Sequence, residues 1–342
     1  MAKKQSLLVI PLFIVHQGCP HRCVFCNQES ITGRTQAATR PVRAAEVAAT
    51  IDEWLARSGG RLGRSVQVAF YGGSFTGLDR VYQQELLGAV QPYLADGRVQ
   101  TIRLSTRPDY IDAEIVSFLT GYGVGVVELG VQAMDDQVLA ASGRGHTVSD
   151  VEKAFQFLRQ AKIRVGGQLM IGLPGETTVS AVDGARALAA LKPDFVRIYP
   201  TLVIRGSVLA ARHGSGEYQP LSLLHGVALS ARLKEIFDLH HIQVVRMGLQ
   251  PSLSLEQDLL AGPYHPAFGE LVLGRLFFNR VRALLASSPV IAGRTLSIAQ
   301  ADLSIYHGQR NLSVNRLAAL GLSAGMHLHL DPDQPRHTMR LV

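Results

Sequence analysis

A strand-then-helix rhythm runs through this chain and leaves few folds open to it. Apolar runs at 7–15, 66–71, 101–105, 126–131, 164–171 and 195–203 are each paired with a stretch of helical periodicity. After Pro41, whose missing N–H costs nothing at a helix start, Val47, Ile51, Trp54 and Leu55 fall on one buried face, which makes the lone tryptophan a core residue. A helix near 80–94 comes next, and Ile111, Ile115, Phe118 and Leu119 mark the one after it. Thr147 with Asp150 reads as a capping box ahead of Val151, Phe155 and Leu158, and Thr177 caps a further helix that Lys192-Pro193 stops. Six such units predict parallel βα crossovers of one hand, and so an α/β fold: a partial (β/α)6 TIM-like barrel. A helix at 221–238 and a short strand at 242–246 close the core. The division expected is a core barrel over 1–245 and a small mixed appendage over 246–342 packed on the barrel mouth, with a helix at about 267–286. His265, between two prolines, reads either as substrate-facing or as part of a rigid packing loop.

Parallel α/β sheets place function at the C-terminal ends of their strands. Every unusual loop falls at such an end: the cysteine segment, Gly72-Gly73-Ser74-Phe75, Ser105-Thr106-Arg107, Gln132, and Gly172-Leu173-Pro174-Gly175. Cys19, Cys23 and Cys26 are all the cysteines of the 342 residues, at spacings of four and three. Three thiolates are one short of the four that close a cubane iron–sulfur cluster, so one iron is left open for a substrate group. Two other readings stay open: a zinc site completed by His21 or His16, and three ordinary buried thiols.

An odd, dense set of cysteines is no disulfide framework, which points to a cytoplasmic protein. The apolar run near the N-terminus is too short to span a bilayer and lacks a small-residue cleavage site, so a first strand is expected there. Hydrophobic residues at 47% and charged ones at 18% fit a globular enzyme. A net charge of +7 suits an acidic partner such as RNA, but equally a solvated basic surface, since only Arg57, Arg61 and Arg64 group together.

The cysteine pattern, with aromatic Phe25 before its last member, resembles the signature of the radical SAM superfamily. From about Val9 to Arg212 the chain is similar to the radical SAM domain of the Elongator catalytic subunit and its relatives. The likeness rests on Thr106-Arg107-Pro108-Asp109-Tyr110, on 127–132, on Gly143-Arg144-Gly145-His146-Thr147 and on 196–206. Oxygen-independent coproporphyrinogen oxidases are more distant relatives, and the cysteine they carry two residues past the motif is missing here. The resemblance implies a [4Fe-4S] cluster on Cys19, Cys23 and Cys26, with S-adenosylmethionine on its open iron. It implies cofactor contacts from Phe25, Gly72, Gly73, Ser74, Ser105, Gln132, Arg144 and Gln168. At Ser105 relatives carry a glutamate, so a carboxylate is missing from that position. Tyr71, Arg197, Tyr199 and Arg205 are candidates for the substrate side, with barrel-lining packing and internal ion pairs as the alternative.

A flavodoxin- or ferredoxin-like one-electron reductant is the implied partner. A 5′-deoxyadenosyl radical acting on tRNA or another RNA is the first functional expectation. A radical enzyme acting on a small metabolite or tetrapyrrole is the second, and a non-catalytic zinc- or haem-binding module the third. No segment like the acetyltransferase domain of the Elongator subunit is expected, so wobble-uridine acetylation does not carry over whole. With no further cysteines, a second cluster is not expected either.

Overall fold

The computed structural model describes residues 7–14, 19, 23–27, 41–58, 65–288 and 293–342. Residues 28–40, His16, His21, Arg61 and Arg64 lie outside the described residues. Seven strands form one parallel sheet in sequential order. They are β1 (Leu7–Phe13), β2 (Ser65–Tyr71), β3 (Thr101–Thr106), β4 (Val124–Gln132), β5 (Arg164–Ile171), β6 (Phe195–Pro200) and β7 (Gln243–Met247). The main helices between them are α1 (Ala44–Arg57), α2 (Arg80–Gly88), α3 (Ala113–Gly121), α4 (Val148–Gln160), α5 (Thr178–Ala190) and α6 (Leu223–Leu239), with shorter helical turns beside them. This is the expected curled half-barrel, with the strand near 242–246 joining the sheet as its seventh member and running on to Met247.

The inner strands are buried on both faces, which is why they read as near-continuous apolar runs. Val47 and Ile51 of α1 are fully buried, and Trp54 packs against the same core. The capping box at α4 is present: Thr147 Oγ1 accepts from the Asp150 N–H at 3.3 Å, and the Asp150 carboxylate accepts from the Thr147 N–H at 2.8 Å. Thr147→Ala is expected to cost about 1 kcal/mol of stability in denaturant unfolding, with little change in m.

Two elements differ from expectation. The helix near 80–94 is broken into Arg80–Gly88 and Gln91–Ala95, because Pro92 fits only the first turn of a helix. The sixth strand ends at Pro200 and not at 203. Val203–Ile204 leaves the sheet and pairs antiparallel with 259–261.

Helix α7 (Phe268–Ala286) joins the barrel to the C-terminal unit. Its Phe268, Val272 and Leu276 pack on Val227 and Ala231 of α6. Its Phe277, Phe278, Val281 and Leu285 hold a second core with Leu296 and Ile298. Those two residues lie on β8 (Thr295–Ala299), the centre of a small sheet with β9 (His327–Asp331) and β10 (Met339–Leu341). His265 Nδ1 accepts the Ala267 N–H at 3.0 Å at the start of α7. No helix among the described residues is long and apolar enough to cross a membrane.

Candidate functional site

Because all seven strands are parallel, their C-terminal ends share one rim, and the unusual loops gather there. The segment Cys23–Asn27 is strapped across it by hydrogen bonds on both sides. The Val24 N–H donates to Ser142 O at 3.1 Å, the Leu209 N–H donates to Val24 O at 2.8 Å, and Asn27 Nδ2 donates to Arg205 O at 2.7 Å. Cys19 is exposed, Cys23 buried and Cys26 half-buried. Protein atoms still crowd the Cys19 sulfur: burial leads the causes that raise its thiol and Cys23 adds to it, while Arg144, Arg107 and the Ser74 N–H pull the other way.

Among the described residues, no three histidine, cysteine or acidic side chains converge on one point as a single metal ion requires. A cubane makes no such demand, since each thiolate binds a different iron.

Arg144 is set between Gly143 (φ +64°) and Gly145 (φ +72°), left-handed positions that turn the loop back over the rim. Its Nη1 donates to Cys23 Sγ at 3.2 Å and its Nη2 to Gly130 O at 2.7 Å. Neither partner is a carboxylate, and its buried Nε has no hydrogen-bond partner among the described residues. A Cβ at Gly130 would stand 3.2 Å from both Arg144 Nη2 and Gln132 Nε2, so glycine keeps this corner open.

Gln132 adopts φ +65°, a conformation that costs a non-glycine residue about 1 kcal/mol or more and tends to persist at binding sites. Its buried Oε1 has no partner among the described residues. Gly72 has φ +92°, and a Cβ there would meet the Ile14 carbonyl oxygen at 3.4 Å. Gly73 beside it is half-buried. Ser74 is buried, and its Oγ is engaged with Thr106 Oγ1 at 2.9 Å, so its contact with the thiol segment comes from the backbone N–H toward Cys19. Phe25 bridges two apolar clusters, one with Val203 and Tyr218, the other with Met170 and Leu173.

The Gly172-Leu173 turn is clamped from both sides. Glu176 Oε2 accepts from the Gly172 N–H at 2.5 Å and the Leu173 N–H at 3.4 Å, and Tyr218 Oη donates to Gly172 O at 2.5 Å. Burial pushes the Glu176 carboxyl up from 4.5 to about 7, partly offset by those amides. The folded chain therefore holds a proton there that the unfolded chain releases between pH 4.5 and 7, and this contribution to stability is lost as pH rises through 7. Denaturant unfolding should show Glu176→Gln gaining on the wild type by on the order of 2 kcal/mol from pH 5 to pH 8. A flat difference would place the carboxyl near its ordinary value. His146 has the opposite sign: burial, Arg144 and Arg107 lower it to about 4, so its effect appears as pH falls below 6.5. It is common to both proteins and drops out of the comparison.

The Radical SAM superfamily model matches residues 13–183, half of the chain. The chain belongs to the radical SAM superfamily. A Radical_SAM C-terminal domain model matches residues 193–277 of this radical SAM chain. An uncharacterized protein of Methanocaldococcus jannaschii is 30% identical over 229 residues, 64% of this chain and 68% of that protein. A tRNA uridine(34) acetyltransferase of the same organism is 28% identical over 267 residues, 68% of this chain and 49% of that protein. The chain spans about half the length of the tRNA uridine(34) acetyltransferases from M. jannaschii and Dehalococcoides mccartyi that it matches. Among solved structures, the archaeal Elp3 of Methanocaldococcus infernus shares the fold with a TM-score of 0.61 at 21% identity, covering 80% of this chain and 63% of that one. Coproporphyrinogen III oxidase of Escherichia coli gives 0.50 at 16%, covering 80% of this chain and 59% of that one.

Tyr71, Gln168, Arg197 and Tyr199 come together inside the curl of the sheet. Arg205 does not join them; its side chain is 67% exposed and lies 3.8 Å from Asp258. Ser105 is half-buried and stands in register opposite Glu128 of β4. Glu128 and Arg103 were not singled out from the sequence, although each is a charge set among the buried residues of an inner strand, which was the available signal.

Proposed function

We propose that the chain is a radical SAM enzyme that holds a [4Fe-4S] cluster on Cys19, Cys23 and Cys26, binds S-adenosylmethionine on the adjoining rim, and acts on a nucleotide of tRNA. The observation that carries the reading is the convergence, on one rim, of the thiol segment with Arg144 Nε and Gln132 Oε1, two buried polar atoms that lack partners among the described residues. A buried donor and a buried acceptor left unmet are costly unless a ligand meets them. The donor set fits the group: soft thiolates for iron, a guanidinium for an amino-acid carboxylate, an amide for ribose hydroxyls.

When bound, the cluster supplies the electron that cleaves S-adenosylmethionine into methionine and a 5′-deoxyadenosyl radical. The chain does the rest by placement. Arg144 holds the carboxylate end, and the backbone at Gly72 and Gly73 borders the amino group without a Cβ in the way. Gln132 and Gln168 face the ribose, and Phe25 with Leu173 walls the adenine from water. The charge of +7 and the matches to tRNA-modifying proteins support a tRNA substrate. In anaerobic, reduced samples, 5′-deoxyadenosine release should rise at least about tenfold on adding an unmodified tRNA transcript, and ribonuclease should abolish the rise. Release that ignores the transcript but responds to a small-molecule extract would move the substrate to the metabolite class.

A further inference from the structure

Closed barrels of this type are filled with branched apolar side chains. The interior of this curled sheet is instead charged. Glu128, in the middle of β4, is 0% exposed. Side chains from four other strands reach its carboxylate: Tyr71 Oη at 2.8 Å, Arg103 Nε at 2.6 Å, Gln168 Nε2 at 3.2 Å, and Arg197, whose Nε lies 2.6 Å from Oε2 and whose Nη2 donates to Oε1 at 3.1 Å. Burial alone would raise the Glu128 carboxyl, but Arg197 and Arg103 more than offset it and keep it below the usual range.

Such a network seldom stabilises a fold more than apolar residues of equal volume would, so stability does not explain its presence. Its two arginines are also unequal. Arg103 is 8% exposed and lies over the Phe195 ring at 4.5 Å, a counter-ion sealed into the floor. Arg197 is 17% exposed, and its Nη1 reaches past the carboxylate to Tyr199 Oη at 3.4 Å. One carboxylate between two guanidiniums leaves one positive charge unbalanced, and Arg197 is the more exposed of the two cations.

We infer that Glu128 is a positioning residue: it grips one edge of Arg197, with the Tyr71 hydroxyl donating to the same carboxylate, so that the other edge and the Tyr199 hydroxyl form a donor face for an anionic group of the substrate, such as a nucleotide phosphate. This rests on the reading of the barrel as the substrate chamber of a radical enzyme.

Glu128→Gln, Glu128→Asp and Arg197→Lys are compared with the wild type in two ways. Crystal structures should show the Arg197 guanidinium of the Gln variant shifted by about 1 Å or more, a displacement large enough to cost 100-fold in rate, and largely restored in the Asp variant. Anaerobic kinetics with an unmodified tRNA transcript should show about a 100-fold loss of kcat/KM for the Gln variant, partial recovery for Asp, and about a 30-fold loss for Arg197→Lys, with iron content unchanged. Should the Gln variant fail to fold, the Lys variant, which keeps the charge, decides the matter. Arg197 in its wild-type place in the Gln variant, or rates for both Gln and Lys variants within about threefold of wild type, overturns the inference. A wild type that releases no 5′-deoxyadenosine when loaded and reduced is a separate result, and it removes the radical reading together with this inference.

Discussion

Cys23→Ala is expected to leave a folded chain that retains almost no iron and forms 5′-deoxyadenosine at less than about one-thousandth of the wild-type rate. Cys23 is the buried thiol of the three, and the one that Arg144 touches. Its loss removes a ligand from a site already one thiolate short of a closed cubane, and no further cysteine exists to replace it. The fold should survive, because Val24 and Asn27 secure the segment through the Val24 backbone and the Asn27 amide, independent of the sulfur. Iron and sulfide assays with far-UV circular dichroism separate the two effects. A variant that keeps its iron would mean that the thiols are not the ligands.

Arg144→Ala should raise the dissociation constant for S-adenosylmethionine by on the order of 100-fold, with cluster content retained. Arg144 has an unfilled hydrogen-bonding valence among the described residues. This guanidinium is 7% exposed, its contacts are a sulfur and a carbonyl, and its Nε is unmet. A buried cation in that state favours an anion, and the methionine carboxylate is the anion the family's cofactor brings. Arg144→Lys should recover part of the loss, because it restores the charge but not the two-point contact. Calorimetry on anaerobic protein reads both. An unchanged constant in the alanine variant would assign Arg144 to holding Cys23 and the Gly130 turn alone.

The strand order and the shared rim were legible in the sequence because parallel strands buried on both faces produce apolar runs that few other structures produce. The end of β6 was not: Pro200 and the residues after it remain apolar, and only the pairing of Val203 and Ile204 with the distant segment 259–261 shows that the chain has left the sheet. Of the site, the thiols, the glycines at 72 and 130 and the arginine at 144 stood in recognisable segments, although Gly130 had no role assigned to it. The Glu128 network did not emerge, since the sequence separations from Tyr71 to Glu128 and from Glu128 to Arg197 are 57 and 69 residues and only the curl of the sheet joins them. The carboxylate sought at position 105 is absent from β3, while one is present in register with it on β4.

The central claim is that three thiols and an unmet rim hold a cluster and the sulfonium cofactor together. It is tested most directly by anaerobic reconstitution, reduction, and quantitation of 5′-deoxyadenosine formed from S-adenosylmethionine. The expected result is about four irons and four sulfides per chain, with steady release of 5′-deoxyadenosine and methionine in equal amounts. Reconstituted protein that binds its iron and sulfide yet forms neither product, or protein that forms both after all three thiols are replaced, would contradict it.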